Sequence, residues 1–218
     1  MEAYKMSKKV TFSFKLIAKS KLHVGCGLLP ELPTSPKPVF RRYSHADGVR
    51  VEITIPGSTL KGILRHIADK FSDTLGYSSC KSVQPEEMSK LKNCDVCNLF
   101  GRPGGTYPRL IVYDSISNIS EEYLIEVTGT LIDRKSGTVM QKHLYSYEVI
   151  PPGTVFEAKI VGWDFTEKDY LILLNALFNL QYEGIGGGRG QVIVKDLKVE
   201  PETEAAKKVI EQFGGMFQ

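Results

Sequence analysis

A glycine-rich segment near the end of the chain has the composition of a loop that binds phosphate. It runs from Gly184 to Gly190 and contains five glycines, with Arg189 as its one charged side chain. Glycines let backbone amides approach a ligand closely, and a guanidinium can bind a phosphate through two hydrogen bonds. We therefore expect Arg189 and the loop amides to bind a phosphate backbone, although a flexible turn would have the same composition.

Two better-known phosphate-binding motifs do not fit the sequence. The third glycine of a dinucleotide-binding fingerprint would fall on Arg189, and the loop follows a predicted helix instead of opening one. The segment 57–62 is not a P-loop, because Ile63 and Leu64 stand where lysine and serine or threonine are required. That segment instead predicts a helix start with Ser58 as the N-cap, which either binds a phosphate or is simply a capped helix.

Cys94 and Cys97 have the spacing of a metal-binding knuckle, and Cys80 lies upstream in the same predicted insertion. A structural zinc site takes four ligands. His66 is the first candidate for the fourth, because it lies on the preceding helix away from the apolar face. We therefore expect a structural Zn²⁺ held by Cys80, Cys94, Cys97 and His66, unless the cysteines form an unmetallated pair in a loop. Weaker candidates for the fourth ligand are Asp95, Cys26 and His23.

Charge is distributed unevenly along a chain that is close to neutral overall. The 28 lysines and arginines exceed the 25 acidic residues by three, but six lysines fall within the first 24 residues. This distribution predicts a basic face. No apolar run is long enough to span a membrane, and the N-terminus lacks the apolar stretch of a signal peptide. We therefore expect a cytoplasmic protein whose cysteines bind metal or are buried.

Hydrophobic periodicity predicts an α+β fold with the order strand, helix, strands, helix, strand. Alternating patterns cover residues 10–18 and 154–163, and helical spacing covers 60–71 and 167–180. This βαββαβ order predicts a modified ferredoxin-like (RRM-like) domain over residues 1–200. The domain would carry insertions at about 28–50, 76–108 and 133–148, the last of them a protruding arm, and a C-terminal helix would follow within 201–218.

Four segments, in this order along the chain, resemble the RAMP superfamily. Residues 55–65 resemble its IPGSSLKGxLR segment, and 94–101 resemble the CxxCxLFG of its metal-binding members. Residues 132–138 with 147–154 resemble its IDRxTGxA…ExVPxGxxF arm, and 186–192 resemble its glycine-rich loop. Within the superfamily, the chain is most similar to the repeated backbone subunit of type III (Csm/Cmr) CRISPR interference complexes.

This resemblance implies an RNA-binding protein whose copies stack along a guide RNA, with the arm acting as a thumb that displaces one nucleotide at regular intervals. The implied partners are CRISPR RNA, single-stranded target RNA and other RAMP subunits, with no membrane. The residues expected to line the RNA are Arg41, Arg42, Ser58, Lys61, Arg65, Lys135, Lys142, Gly186, Gly187, Gly188 and Arg189.

Catalysis is less well supported by the resemblance than binding. Active members cut target RNA with an aspartate that precedes an NPVIR-like segment, assisted by a divalent ion such as Mg²⁺. Here that segment is 37–41, and residues 34–36 before it contain no acid. Glu31 and Asp47 are the nearest carboxylates, so we expect little or no cleavage. Two other functions remain open: an endoribonuclease that processes precursor CRISPR RNA with His23 as the base, and a zinc-stapled scaffold that binds only protein.

Overall fold

The computed structural model describes residues 8–25, 38–44, 50–82, 84–90, 93–105, 107–213, 215 and 217. Helices and strands are mixed along the chain, which confirms the α+β class. No helix among these residues is both long and apolar enough to cross a membrane. The elements are β1 (Lys9–Ala18), β2 (Arg41–Ser44), β3 (Arg50–Ile55), α1 (Gly57–Leu75), α2 (Pro85–Lys90), α3 (Asp95–Phe100), β4 (Leu110–Val112), β5 (Ser115–Ser117), β6 (Ile125–Ile132), β7 (Val139–Val149), β8 (Val155–Trp163), α4 (Glu167–Glu183), β9 (Val192–Glu200) and α5 (Glu204–Gln212).

A seven-stranded sheet forms the centre of the fold, with the strand order β2–β3–β5–β8–β1–β9. Strand β4 pairs with β8 as well, beside β5. Strand β1 is antiparallel to both of its neighbours, β8 and β9. It alternates buried and more exposed residues along its length, as the sequence predicted.

One continuous core joins the sheet to the two long helices. The buried face of β1 presents Phe12, Phe14 and Leu16, and α1 contributes an apolar stripe that includes Leu60 and Leu64. Helix α4 is buried on most of its sides. The capping box between Thr166 and Asp169 begins this helix, so its start is fixed by local sequence.

The start of α1 differs from the prediction, because Ser58 is not the N-cap. The helix already begins at Gly57, with Pro56 in the N-cap position, so Ser58 lies inside the first turn and is exposed. The carboxylate of Asp114 accepts a hydrogen bond from the Gly57 amide at 2.8 Å and takes over the capping role. A β-carbon at Gly57 would collide with the carbonyl oxygen of Val112, which explains the glycine.

The predicted insertion at 76–108 has regular structure of its own. It contains α2 and α3 and contributes Met88, Val96, Leu99 and Phe100 to the core. Both helices have only six residues, which is too short for a periodic pattern to be recognised. Part of the first insertion is also ordered, because β2 pairs with β3.

The predicted arm is a two-stranded hairpin that stands apart from the central sheet. Strands β6 and β7 pair from Ile125 opposite Val149 to Ile132 opposite Val139. The turn is closed by a hydrogen bond from the Asp133 amide to the carbonyl of Thr138 at 2.9 Å. The arm therefore begins earlier than the predicted insertion at 133–148, because β6 forms its first strand.

Candidate nucleic-acid interface

The glycine-rich loop lies directly against the chain that follows β1. The backbones of Ile185 and Gly190 exchange hydrogen bonds of 2.7 and 3.0 Å, which closes the loop at its root. At its tip, the Gly187 amide donates to the carbonyl of His23 at 2.9 Å. Gly186 has a φ of 75°, and a β-carbon there would collide with the same carbonyl oxygen. Close approach to His23 therefore requires a glycine at position 186.

Arg189 projects from this loop into solvent. Its backbone is in the left-handed region at a φ of 48°, which is uncommon for a residue with a side chain. Strained conformations of this kind are concentrated at functional sites, because the surrounding structure must stabilise them. The exposed guanidinium is therefore available to a ligand that passes over the loop.

A small aromatic cavity lies between this loop and the root of the arm. It has a volume of about 210 Å³ and is lined by His23, Tyr145, Tyr147, Gly187 and Gly188. The rings of His23 and Tyr147 meet edge to face at 5.3 Å, and Tyr145 stacks on Tyr147 at 5.9 Å between ring centres. The cavity thus combines π-faces with glycine backbone, both of which accept a nucleobase.

The two tyrosines reach this cavity because they alternate along β7. Side chains two residues apart in a strand lie on one face of it. Tyr145 lies opposite Gly129 of β6, and a β-carbon at Gly129 would be 2.7 Å from the Tyr145 ring. The absence of a side chain at position 129 therefore lets the ring lie across the arm.

His23 is held in one orientation by the arm. Its Nδ1 lies 2.7 Å from the carbonyl oxygen of Glu148. A carbonyl can only accept a hydrogen bond, so Nδ1 carries a proton and donates it. In the neutral ring, the other nitrogen, Nε2, is then an acceptor.

Arg41 has a structural role in this arrangement. It forms ion pairs with Glu121 and, at 2.9 Å, with Glu148, and it donates to the carbonyl of Val39 at 3.1 Å. The hydrogen bond with Glu148 raises the pKa of Arg41, although burial opposes the shift. Its side chain is only 17% exposed, so RNA contact would require these pairs to open. Arg42, in contrast, is half exposed, 4.0 Å from Glu52.

A larger, cationic cleft lies between the start of α1 and residues 100–105, 107 and 108. Its volume is about 690 Å³, and Ser58 lines it at the helix start. Lys61, Arg65 and Arg102 supply positive charge, and none of the described lining residues is acidic. Burial, followed by the charge of Arg65, lowers the pKa of Lys61. An anion in this cleft would therefore relieve the repulsion between the cations.

Arg65 points toward the cysteines at one end of this cleft. Its Nη2 donates to Sγ of Cys97 at 3.2 Å, and its Nη1 donates to the carbonyl of Gly101 at 2.5 Å. Its Nε lies 3.9 Å from Asp69. Each of the three guanidinium nitrogens thus has a partner within the protein.

Three thiols converge where the sequence predicted a metal site. The Sγ atoms of Cys80, Cys94 and Cys97 all lie within 4.8 Å of one another. Asp95 brings Cys80 to the other two, because its carboxylate accepts hydrogen bonds from the amide and hydroxyl of Ser78 at 2.7 and 2.8 Å. Three thiolates suit zinc, which would hold this insertion together.

The predicted fourth ligand, His66, is not part of this group. Among the described residues, only the three cysteines converge. Because Arg65 faces the cysteines, the next residue points about 100° further around the helix. His66 is exposed, and its charge contributes to lowering the pKa of Glu183 at the end of α4, behind the larger effect of Lys70. Cys26, a weaker candidate, lies outside the described residues.

The remaining predicted residues lie on the arm or outside the described chain. Lys135 is exposed at the tip of the arm, and Lys142 lies in β7. Glu31 and Asp47 lie outside the described residues. Sequence reasoning missed Tyr145 and Tyr147, although their spacing of two residues in a predicted hairpin would place both rings on one face. It also missed Arg102 in the cationic cleft, Glu148 at the root of the arm and Asp114 at the start of α1.

Proteins that bind single-stranded nucleic acid combine aromatic stacking surfaces with positive charge. This α+β fold has both, in the aromatic cavity beside the glycine loop and in the cationic cleft. A family model of the RAMP superfamily matches residues 15–192, and the chain therefore belongs to the RAMP superfamily. This membership implies a CRISPR-associated function in RNA binding or RNA cleavage. A comparison with curated proteins finds no match.

Proposed function

We propose that this chain is a CRISPR RNA-binding backbone subunit of a type III interference complex. Copies of it would stack along the guide RNA and present single-stranded target RNA. One observation carries the proposal: the glycine loop, His23 and the two tyrosines surround a single cavity at the root of the arm. Stacking surfaces beside exposed cations are what a single RNA strand requires from a protein.

The strand order supports a modified ferredoxin-like domain over residues 1–200. The antiparallel order β5–β8–β1–β9 and the two long helices α1 and α4 fit a βαββαβ arrangement. The insertions would be those expected at about 28–50, 76–108 and 133–148, the second with a structural Zn²⁺. The β6–β7 hairpin would be the thumb, and other RAMP subunits would be its neighbours.

Phosphates and bases would bind to different parts of the interface. Bases would stack in the cavity of His23 and Tyr145, while Arg189 and the amides of Gly186, Gly187 and Gly188 bind phosphates. Lys61 and Ser58 would bind phosphates in the cationic cleft. Such contacts position a strand without reading its sequence. Arg42, Lys135 and Lys142 would add further phosphate contacts.

The proposal is tested by comparing Tyr145→Ala with Tyr145→Phe in binding to single-stranded RNA. Loss of one base–aromatic stack costs about 1–3 kcal/mol, so the alanine variant should bind at least about fivefold more weakly. The phenylalanine variant keeps the ring and should bind like the wild type. Failure of the wild-type protein to bind any RNA at low salt would favour a protein-binding scaffold instead.

A second candidate, an endoribonuclease that processes precursor CRISPR RNA, is favoured by the fixed orientation of His23. With Nδ1 donating to Glu148, the neutral ring leaves Nε2 free to accept the proton of a ribose 2′-hydroxyl. The test is incubation of precursor RNA with the protein in the absence of divalent metal. If the wild-type protein cleaves the RNA and His23→Gln binds it without cleaving it, the endoribonuclease function is supported. If the RNA stays intact, the RNA-binding function alone is supported.

A further inference from the structure

Arg65 forms a direct connection between the cysteine centre and the wall of the cationic cleft. Its guanidinium donates to Sγ of Cys97 with one nitrogen and to the carbonyl of Gly101 with another. Gly101 follows α3 as its C-cap, and its amide donates to the carbonyl of Cys97 at 2.8 Å. The cleft wall, formed by residues 101–105, 107 and 108, begins there. The side chain of Arg65 is only 21% exposed. Movement at Cys97 would therefore be transmitted to the cleft.

The charges at the centre make this connection dependent on metal. Three thiolates around a divalent ion carry a net negative charge, and a guanidinium beside them forms a strong charge-assisted hydrogen bond. Partners that hydrogen-bond to metal ligands orient those ligands and raise the affinity for the ion. Without an ion, Cys80 would be joined to α3 by its thiol contact with Cys97 at 3.5 Å and by the hydrogen bonds between Ser78 and Asp95.

Arg65 donates hydrogen bonds from two of its nitrogens to protein groups, and these bonds would have to break before those nitrogens could bind a phosphate. Lys61, one turn earlier on α1, has no comparable anchor among the described residues and lines the same cleft. The two cations of α1 thus differ in role, although the sequence placed both on the RNA.

We infer that Arg65 is a positioning residue that couples the cysteine centre to the cleft, so that Zn²⁺ binding at Cys80, Cys94 and Cys97 strengthens phosphodiester binding at Lys61. The inference rests on the proposed RNA-binding function and adds to it a regulation of the same site by metal. Coupling of this kind is reciprocal, so RNA must strengthen Zn²⁺ binding by the same factor.

The experiment measures both affinities in the full-length protein. Zn²⁺ affinity is determined by competition with a chromophoric chelator, with and without a single-stranded RNA of mixed sequence. RNA affinity is determined over a series of salt concentrations, with and without Zn²⁺. We expect each ligand to strengthen the binding of the other by the same factor, in the range of about 5- to 150-fold.

Arg65→Lys is the decisive variant, because it keeps the charge but cannot reach both acceptors with one ammonium group. We expect its Zn²⁺ affinity to fall by about 10- to 100-fold and its coupling factor to approach one. Lys61→Ala is the matched control. It should lower the salt dependence of RNA binding by about one counterion and reduce the coupling factor, while the Zn²⁺ affinity measured without RNA stays unchanged.

Several results would overturn the inference: a wild-type protein that binds no Zn²⁺, equal RNA affinity with and without Zn²⁺, or an unchanged coupling factor in Arg65→Lys. Weaker RNA binding by Arg65→Lys with unchanged Zn²⁺ affinity would also overturn it, because Arg65 would then act on the RNA directly and not through the cysteine centre. If the Zn²⁺-loaded wild type bound no RNA, the proposed function and the coupling would fail. Weaker Zn²⁺ binding by Arg65→Lys would in that case still support its position beside the centre.

Discussion

Arginines that look equivalent in the sequence differ in the partners that the fold gives them. Arg41 and Arg65 each bind several protein groups, whereas Arg189 extends from a glycine loop into solvent. The partners of Arg41 include Glu148, which is 107 residues away in the chain. A local sequence pattern contains no information about a partner so distant in the chain. The sequence therefore identified the candidate cations but could not tell which of them pair with protein groups and which are exposed.

Arg189→Ala should weaken RNA binding to a similar extent for all RNA sequences. The removed contact is to phosphate, so one fewer counterion is released and the salt dependence of the affinity should fall by about one unit. Titrations of several unrelated RNAs over a salt series measure both effects. Lys208→Ala, an exposed cation on α5 outside the proposed interface, is the control for total charge. A loss restricted to one RNA sequence would show that Arg189 reads bases.

Gly186→Ala should destabilise the loop, whereas Gly188→Ala should not. Alanine at 186 would occupy the left-handed region and collide with the carbonyl of His23, while a β-carbon at 188 meets nothing within 4 Å. We expect a loss of more than about 1 kcal/mol for Gly186→Ala, which corresponds to at least about 2–4 °C in unfolding temperature. Thermal unfolding measures the difference, and equal stability of the two variants would contradict it.

At the scale of elements, the long periodic segments were predictable and the junctions between them were not. Strand β1 and helices α1 and α4 followed from their apolar spacing because each buries one face or most faces in the core. The sequence predicted that Ser58 caps α1. Asp114 takes that role instead, although it follows the cysteine insertion and is 57 residues away from Gly57 in the chain. The sequence predicted that Cys80 converges with Cys94 and Cys97. It did not predict that Arg65, and not His66, is the residue of α1 that faces these cysteines.

Shortening the arm should separate folding from assembly. Replacing residues 131–143 with Asn-Gly joins Thr130 to Leu144, which already face each other, through a turn suited to a hairpin. Tyr145 and Tyr147 are retained. We expect an unchanged unfolding temperature, because the arm stands apart from the central sheet, and retained binding of one protein to a short RNA.

Stacking of several copies on a long RNA should be lost in this shortened protein, as measured by sedimentation. The double substitution Lys135→Ala and Lys142→Ala in the intact arm matches the net loss of two positive charges, and this variant should still stack. An unfolded protein would show that the arm belongs to the core, and normal stacking would show that it is not the thumb.

For the molecule as a whole, we expect guide-directed cleavage of target RNA to be weak or absent. Metal-assisted cleavage needs a carboxylate that holds or orients the ion beside the phosphate, and residues 34–36 contain no acid. Complexes assembled with this subunit and Mg²⁺ test the expectation, together with Glu31→Ala and Asp47→Ala. Strong cutting at regular intervals that one of these substitutions abolishes would identify the acid.

The triangle of Arg41, Glu121 and Glu148 has a consequence for how this protein can evolve. Glu148 sits at the root of the arm and orients His23 through its carbonyl, while its carboxylate holds Val39 and Arg41. Loss of the arginine alone would leave Glu148, whose side chain is only 19% exposed, without its charged partner, so a single substitution carries a free-energy penalty that a second substitution can remove. We expect positions 41, 121 and 148 to covary among relatives. Such covariation would indicate that the first insertion and the arm evolved together.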